Sequence, residues 1–195
     1  MEMPHVMIKT LIVPGLDGSP APHWQDWWAA TDAAALMVNL PKPSSPSPSL
    51  WEIELAAMLL QHPDSILVGH SLGAVLIARV LSKFPQCKVR AALFVAPADT
   101  QAHDRIRHFG PVREQPLQVP TKLVASRNDP WMRFDRSAQV ARAWGSELVD
   151  LGMAGHVNVA SGFGPWPQGK ALRDDLLWQT SGLAPVPQTQ KRIAR

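Results

Sequence analysis

The apolar positions of this chain fall into short dense runs, separated by longer stretches in which apolar residues recur at helical spacing. Residues 7–13, 35–40, 65–68, 90–95, 121–125 and 147–151 are runs of strand length bounded by turn-forming or polar residues. Ala91-Ala92-Leu93-Phe94-Val95 is apolar without a break, the mark of a strand covered on both faces, as in a parallel sheet. Between the runs, residues 23–31, 49–61, 72–84, 136–144 and 168–178 read as helices. In the second of these, Trp51, Leu55, Met58 and Leu59 form a stripe, and Ser49 with Glu52 has the spacing of a capping box. Strands alternating with helices predict an α/β fold: a right-handed, doubly wound, mostly parallel central sheet with helices on both faces. A site is then expected beyond the carboxyl ends of the strands.

Composition narrows the classes. A chain of 195 residues buries roughly 70% of its unfolded surface and has room for one sizeable core, so residues 1–182 read as a single domain. Residues 183–195, with Pro185, Pro187, Lys191, Arg192 and Arg195, read as a flexible Pro/basic tail. The prolines at 41, 43, 46 and 48 predict an extended loop. The net charge of +3 is spread outside the tail, and no basic stripe is interleaved with aromatics, so no nucleic-acid partner is expected. No apolar run approaches the roughly 20 residues that span a bilayer, and no secretory leader is visible, so no membrane role is expected. Cys87 is the lone cysteine and leaves no internal disulfide. Together these features point to the cytoplasm. Neither a His-x-x-x-His pair nor a phosphate-binding loop occurs, so no metal and no cofactor is expected.

The chemistry concentrates at Gly69-His70-Ser71-Leu72-Gly73, which follows the run 65–68 and opens the helix 72–84. Strand, tight G-x-S-x-G turn and helix make a nucleophile elbow. Two glycines let strand and helix approach, and Ser71 Oγ stands clear of the sheet. The Leu72 N–H then faces the point where charge develops on a substrate carbonyl oxygen. A second such donor is expected from Pro14-Gly15-Leu16-Asp17-Gly18-Ser19, beyond the first run, and is assigned to the Leu16 N–H. A serine hydroxyl is a poor nucleophile until a base takes its proton, and a carboxylate is needed to orient and stabilise that base. His156 lies in a Gly-rich loop beyond the last run, and Asp129 lies beyond 121–125. The order Ser71, Asp129, His156 is that of α/β hydrolases. Asp99, beyond 90–95, is the alternative acid. His5, His62, His103 and His108 lie in polar stretches and read as solvated. His23, beside Trp24, reads as helix packing, and His70 is expected to point away from Ser71 Oγ.

Several segments together resemble one family. They are Pro14-Gly15-Leu16-Asp17-Gly18-Ser19-Pro20 with His23-Trp24-Gln25-Asp26-Trp27, the elbow, Asp129-Pro130-Trp131, and Gly155-His156-Val157-Asn158 running on to Ser161-Gly162-Phe163-Gly164-Pro165-Trp166-Pro167. They look like the compact serine hydrolases of the retinoblastoma-binding-protein-nine and YdeN type, over about residues 10–178. The resemblance implies a compact α/β-hydrolase fold without a large cap domain, with Ser71, Asp129 and His156 as the catalytic triad. It also implies hydrolase activity of undefined natural substrate. Pro14 departs from the histidine that many hydrolases carry before the oxyanion glycine. Trp131 and Trp166 flank the acid and base loops and are expected to wall the substrate pocket. Residues 97–117 form the one insertion able to cover the site, a small lid at most. A shallow pocket follows, suited to a small ester or thioester, or to an acyl group presented on a larger carrier. The competing expectation is a non-catalytic binding protein on the same fold.

Overall fold

The computed structural model describes residues 7–181. The tail expected at 183–195 lies outside the described residues. Six strands form one sheet: β1 (Thr10–Val13), β2 (Ala35–Met37), β3 (Ser65–His70), β4 (Val89–Val95), β5 (Thr121–Ala125) and β6 (Glu147–Asp150). Their spatial order is β2-β1-β3-β4-β5-β6, and every neighbouring pair is parallel. Five α-helices connect and close it: α1 (Trp24–Thr31), α2 (Pro48–Gln61), α3 (Leu72–Lys83), α4 (Phe134–Trp144) and α5 (Pro167–Thr180).

Alternation along the central strands divides the core into two layers. Leu67, Ala92 and Phe94 join Trp51 and Leu55 of α2, Leu76 and Val80 of α3, and Val140 and Trp144 of α4. Ile66, Val68, Ala91, Leu93 and Val95 face the other way, onto Trp24 and Trp28 of α1 and Leu176 of α5. Side chains of β3 and β4 are therefore apolar on both faces, as their unbroken sequence runs require. Among the described residues, no helix is long and apolar enough to cross a membrane.

The capping box expected at Ser49 does not form. Helix α2 starts one residue earlier, with Ser47 at the N-cap and Pro48 in the first turn, and Ser47 makes no side-chain cap. Glu52 is instead buried and drawn onto α3, where Arg79 and Lys83 both reach its carboxylate. Burial alone would raise the Glu52 pKa. Hydrogen bonds from Lys83 and Arg79 outweigh it and hold the carboxyl below its ordinary value.

The sheet order carries a functional consequence. The chain leaves β1 for the edge strand β2 and returns on the far side of β1 as β3. The direction of winding reverses between β1 and β3, and the crevice at their carboxyl ends is the topological switch point of the sheet. The loop after β1 carries Leu16, and the turn after β3 carries Ser71.

Candidate active site

Ser71 sits at the N-cap of α3 with φ 54° and ψ −121°. That conformation costs a non-glycine residue on the order of 1–3 kcal/mol. It is held by the Ser71 N–H, which donates to the Val95 carbonyl at 3.0 Å, and by close packing on both sides. A Cβ on Gly73 would lie 2.3 Å from the Val13 carbonyl oxygen, and one on Gly69 would lie 2.8 Å from the Ala74 Cα. Neither position admits a side chain, because what it would strike is backbone.

His156 Nε2 lies 2.9 Å from Ser71 Oγ, and His156 Nδ1 lies 2.9 Å from both carboxylate oxygens of Asp129. The His156 and Asp129 side chains are almost shut off from solvent. Acid and base thus reach the serine in one hydrogen-bonded line, from loops after β5 and β6. Asp99 takes no part: its Oδ1 accepts the Gln101 N–H within its own turn.

The two loops are stitched together by side chains the sequence reading passed over. Asn128 Oδ1 accepts from Ser126 Oγ and from the Gly155 N–H, both at 2.8 Å. Ser126 Oγ accepts the Ala154 N–H, and Ser161 Oγ accepts the His156 N–H at 3.0 Å. Val157 has φ 49°, unusual for a β-branched residue, and its carbonyl accepts the Trp24 indole N–H at 2.9 Å. The neighbouring Gln25 is fully buried. It accepts from Ser19 Oγ at 2.6 Å and donates to the Val13 carbonyl at 3.1 Å. Helix α1 therefore holds the loop after β1 with one residue and the His156 loop with the one before it. The signal available in sequence was the polar Gln25 inside an otherwise tryptophan-lined segment.

Leu16 lines the cavity over Ser71. Among the described residues, neither the Leu16 N–H nor the Leu72 N–H donates to a protein acceptor. A Cβ on Gly15 would lie 3.0 Å from Ser71 Cβ and 3.3 Å from the Leu72 nitrogen, which measures how tightly the loop after β1 is pressed on the elbow. The Leu72 N–H adjoins Ser71 in the chain, and the Leu16 N–H follows the glycine pressed against it; unpaired N–H groups in such places can meet a developing oxyanion.

The cavity has a volume of about 370 Å³ and opens to solvent. Leu16, Pro20, Pro22, Val159 and Ala160 give it an apolar wall, and Trp131 another. Trp131 stacks on His156 with ring centroids 5.6 Å apart. Trp166 does not line it. Its ring is turned into the core layer of α1 and α5, 5.2 Å from Trp24 and 6.4 Å from Trp28. Residues 97–117 do not line it either. They hold a two-turn 3₁₀ segment (Asp104–Phe109) fastened at the rim, with Arg105 on Asp17 and His108 on the Pro46 carbonyl. His108 stays exposed, as expected, while His103 is half-buried and packs against Trp131 at 4.3 Å.

His70 points away from Ser71 Oγ. Its Nε2–H donates to the His156 carbonyl at 2.8 Å, and its ring lies 4.9 Å from that of His156. Burial, with repulsion from His156 and His23, holds His70 well below the ordinary histidine pKa. Among the described residues, no group of three or more His, Cys, Asp or Glu side chains is placed to hold a metal ion.

Residues 10–174 match the family model described as serine hydrolase. A solved structure described as a YdeN-like hydrolase, from Pectobacterium atrosepticum, is 33% identical over 88% of this chain and 91% of its own, with a TM-score of 0.79. The ydeN gene product of B. subtilis is 20% identical over 87% of this chain and 98% of its own, with a TM-score of 0.73. An esterase of Thermogutta terrifontis, solved phosphorylated by paraoxon, shares the fold at 17% identity, covering 92% of this chain and 85% of its own, with a TM-score of 0.68. No protein of curated function matches.

Proposed function

From the premise that this chain belongs to the serine hydrolase family and has the α/β-hydrolase fold, we propose that it cleaves a small ester or thioester, or an acyl group presented on a larger carrier, through an acyl-enzyme. The observation that carries the reading is the unbroken line from Asp129 through His156 to Ser71, ending at an open cavity. Ser71 Oγ attacks the substrate carbonyl carbon as His156 Nε2 takes its proton. The carbonyl oxygen gains negative charge and is met by the Leu16 and Leu72 N–H groups. Asp129 stabilises the imidazolium that forms. His156 then returns the proton to the departing alcohol or thiol, and the acyl group remains on Ser71. A water, deprotonated by His156 in the same way, releases the acid and restores the serine.

The cavity favours short acyl groups. Its apolar walls, with Leu16 and Trp131 among them, enclose only about 370 Å³, and no residue of 97–117 lines it to extend the cover over a long chain. The test is covalent labelling. A fluorophosphonate probe labels the native protein at Ser71, and Ser71→Ala abolishes the label while leaving the thermal midpoint essentially in place. Native protein that stays unlabelled while folded would mark a binding protein on an idle site and end the proposal.

A further inference from the structure

His23 lines the same cavity as Ser71 and His156, yet no step of the reaction above uses it. It stands at the N-cap of α1, where its Nδ1 accepts the Gln25 N–H at 3.1 Å. An imidazole nitrogen that accepts carries no proton, so in the neutral ring the proton sits on Nε2. Among the described residues, His23 Nε2 has no protein partner. The polar side-chain atoms sealed from solvent without a partner are Trp28 Nε1 and Arg90 Nε, and His23 Nε2 is not one of them, so it opens on the cavity. The ring cannot readily swing. It is buried against Trp24 at 5.5 Å and His70 at 5.0 Å.

We infer that His23 is a substrate-positioning residue whose Nε2–H donates one hydrogen bond to a neutral oxygen of the substrate, such as an ether or a second carbonyl, several bonds from the carbonyl under attack. This rests on the hydrolase reading and adds to it the substrate class: an acyl compound bearing a second acceptor. The distance follows from His70, whose ring stands between those of His23 and His156 at 5.0 and 4.9 Å. The neutrality follows from the surroundings. Burial, then repulsion from His156, lowers the His23 pKa to about 4. His70 faces it uncharged, and the one carboxylate lining the cavity, Asp17, is already paired with Arg105. A single uncharged donor offsets only a small part of the desolvation of a carboxylate, whereas it matches the need of a neutral acceptor.

Two matched ester series test this. In one, an ether oxygen replaces successive CH₂ groups along the acyl chain of p-nitrophenyl esters; in the other, along the alcohol of acetate esters. Each kcat/KM is corrected for the alkaline hydrolysis rate of its ester. The native protein favours the ether member at one position of one series. His23→Asn keeps an oxygen to cap α1 but has nothing at Nε2, and the ether-to-alkyl ratio falls roughly fivefold. His23→Gln returns an N–H there and restores the ratio. An ether-to-alkyl ratio identical in native protein and His23→Asn at every position overturns the inference, even where Ser71 is labelled by the fluorophosphonate. Loss of that label in native protein overturns the hydrolase reading instead, and this one with it. Imidazole ¹⁵N shifts give a readout that needs no turnover: the expected result is the Nε2–H form of His23 at neutral pH, and the Nδ1–H form would refute the assignment.

Discussion

Asp129 meets His156 Nδ1 with both oxygens while its loop also supplies the Trp131 N–H to one of them at 2.8 Å. The carboxylate is thus fixed before it is asked to orient the imidazole. Asp129→Asn keeps the shape but can present an amide N–H to Nδ1, which selects the tautomer with its proton on Nε2, where the serine needs an acceptor. The expected loss in kcat is on the order of 10⁴-fold with little change in folding, read from steady-state hydrolysis of a short aryl ester beside a thermal melt. A loss below tenfold would remove Asp129 from the role. Ser71, Asp129 and His156 were legible as candidates because nucleophile, acid and base each need one residue type and each follows a strand. Trp166 was not legible, since where its indole turns depends on the tryptophans of α1, which its own neighbours in sequence do not disclose.

Helix α1 is short, yet its first turn sets two loops of the site at once, through Trp24 on Val157 and Gln25 on Ser19 and Val13. Trp24→Phe removes the indole N–H and strands a buried carbonyl, at a cost of about 1–3 kcal/mol. Trp28 is the control on the same helix, equally buried but with an Nε1 that bonds nothing. Trp28→Phe loses similar volume and no hydrogen bond. Trp24→Phe is therefore expected to lower kcat/KM several-fold more than Trp28→Phe, measured on one ester; equal effects would mean that Trp24 acts by bulk alone. At this scale the sequence was informative wherever an element is defined by its own residues. Strand β5 falls on the expected 121–125, and the elbow turn falls where its glycines predict. It was silent where a distant partner decides. Residues 7–9 share the apolar run but precede β1, which pairs with β2 only from Thr10, and Glu52 is taken by α3 rather than by its own helix end.

For the molecule as a whole, pH acts first through buried histidines. His23, at about 4, and His70, also lowered, have folded values below the ordinary 6.5. Between those values the unfolded chain binds protons that the folded chain refuses, so stability is full above about 6.5 and falls as the pH drops toward 4. The limit is about 1.4 kcal/mol per pH unit for each histidine, and His23 falls short of it because its edge meets the solvent-open cavity. Glu52 and Asp32, whose carboxyls are lowered by their cationic partners once burial is outweighed, add their loss only at lower pH. Urea unfolding at pH 7.5, 6.5, 5.5 and 4.5 is expected to show a falling midpoint, with a shallower fall in His23→Asn. Identical slopes would mean that His23 takes up its proton as readily folded as unfolded.

The switch-point arrangement also has a history in time. The alcohol at position 71 and the loop after β1 belong to the first half of the chain, whereas the imidazole hydrogen-bonded to it arrives from beyond the last strand, held by a helix that precedes both. A chain leaves the ribosome N-terminus first, and a single domain folds as a unit once its last elements are out. On this ordering it carries a dormant alcohol through most of its synthesis, and gains the power to cut only when its final third has docked.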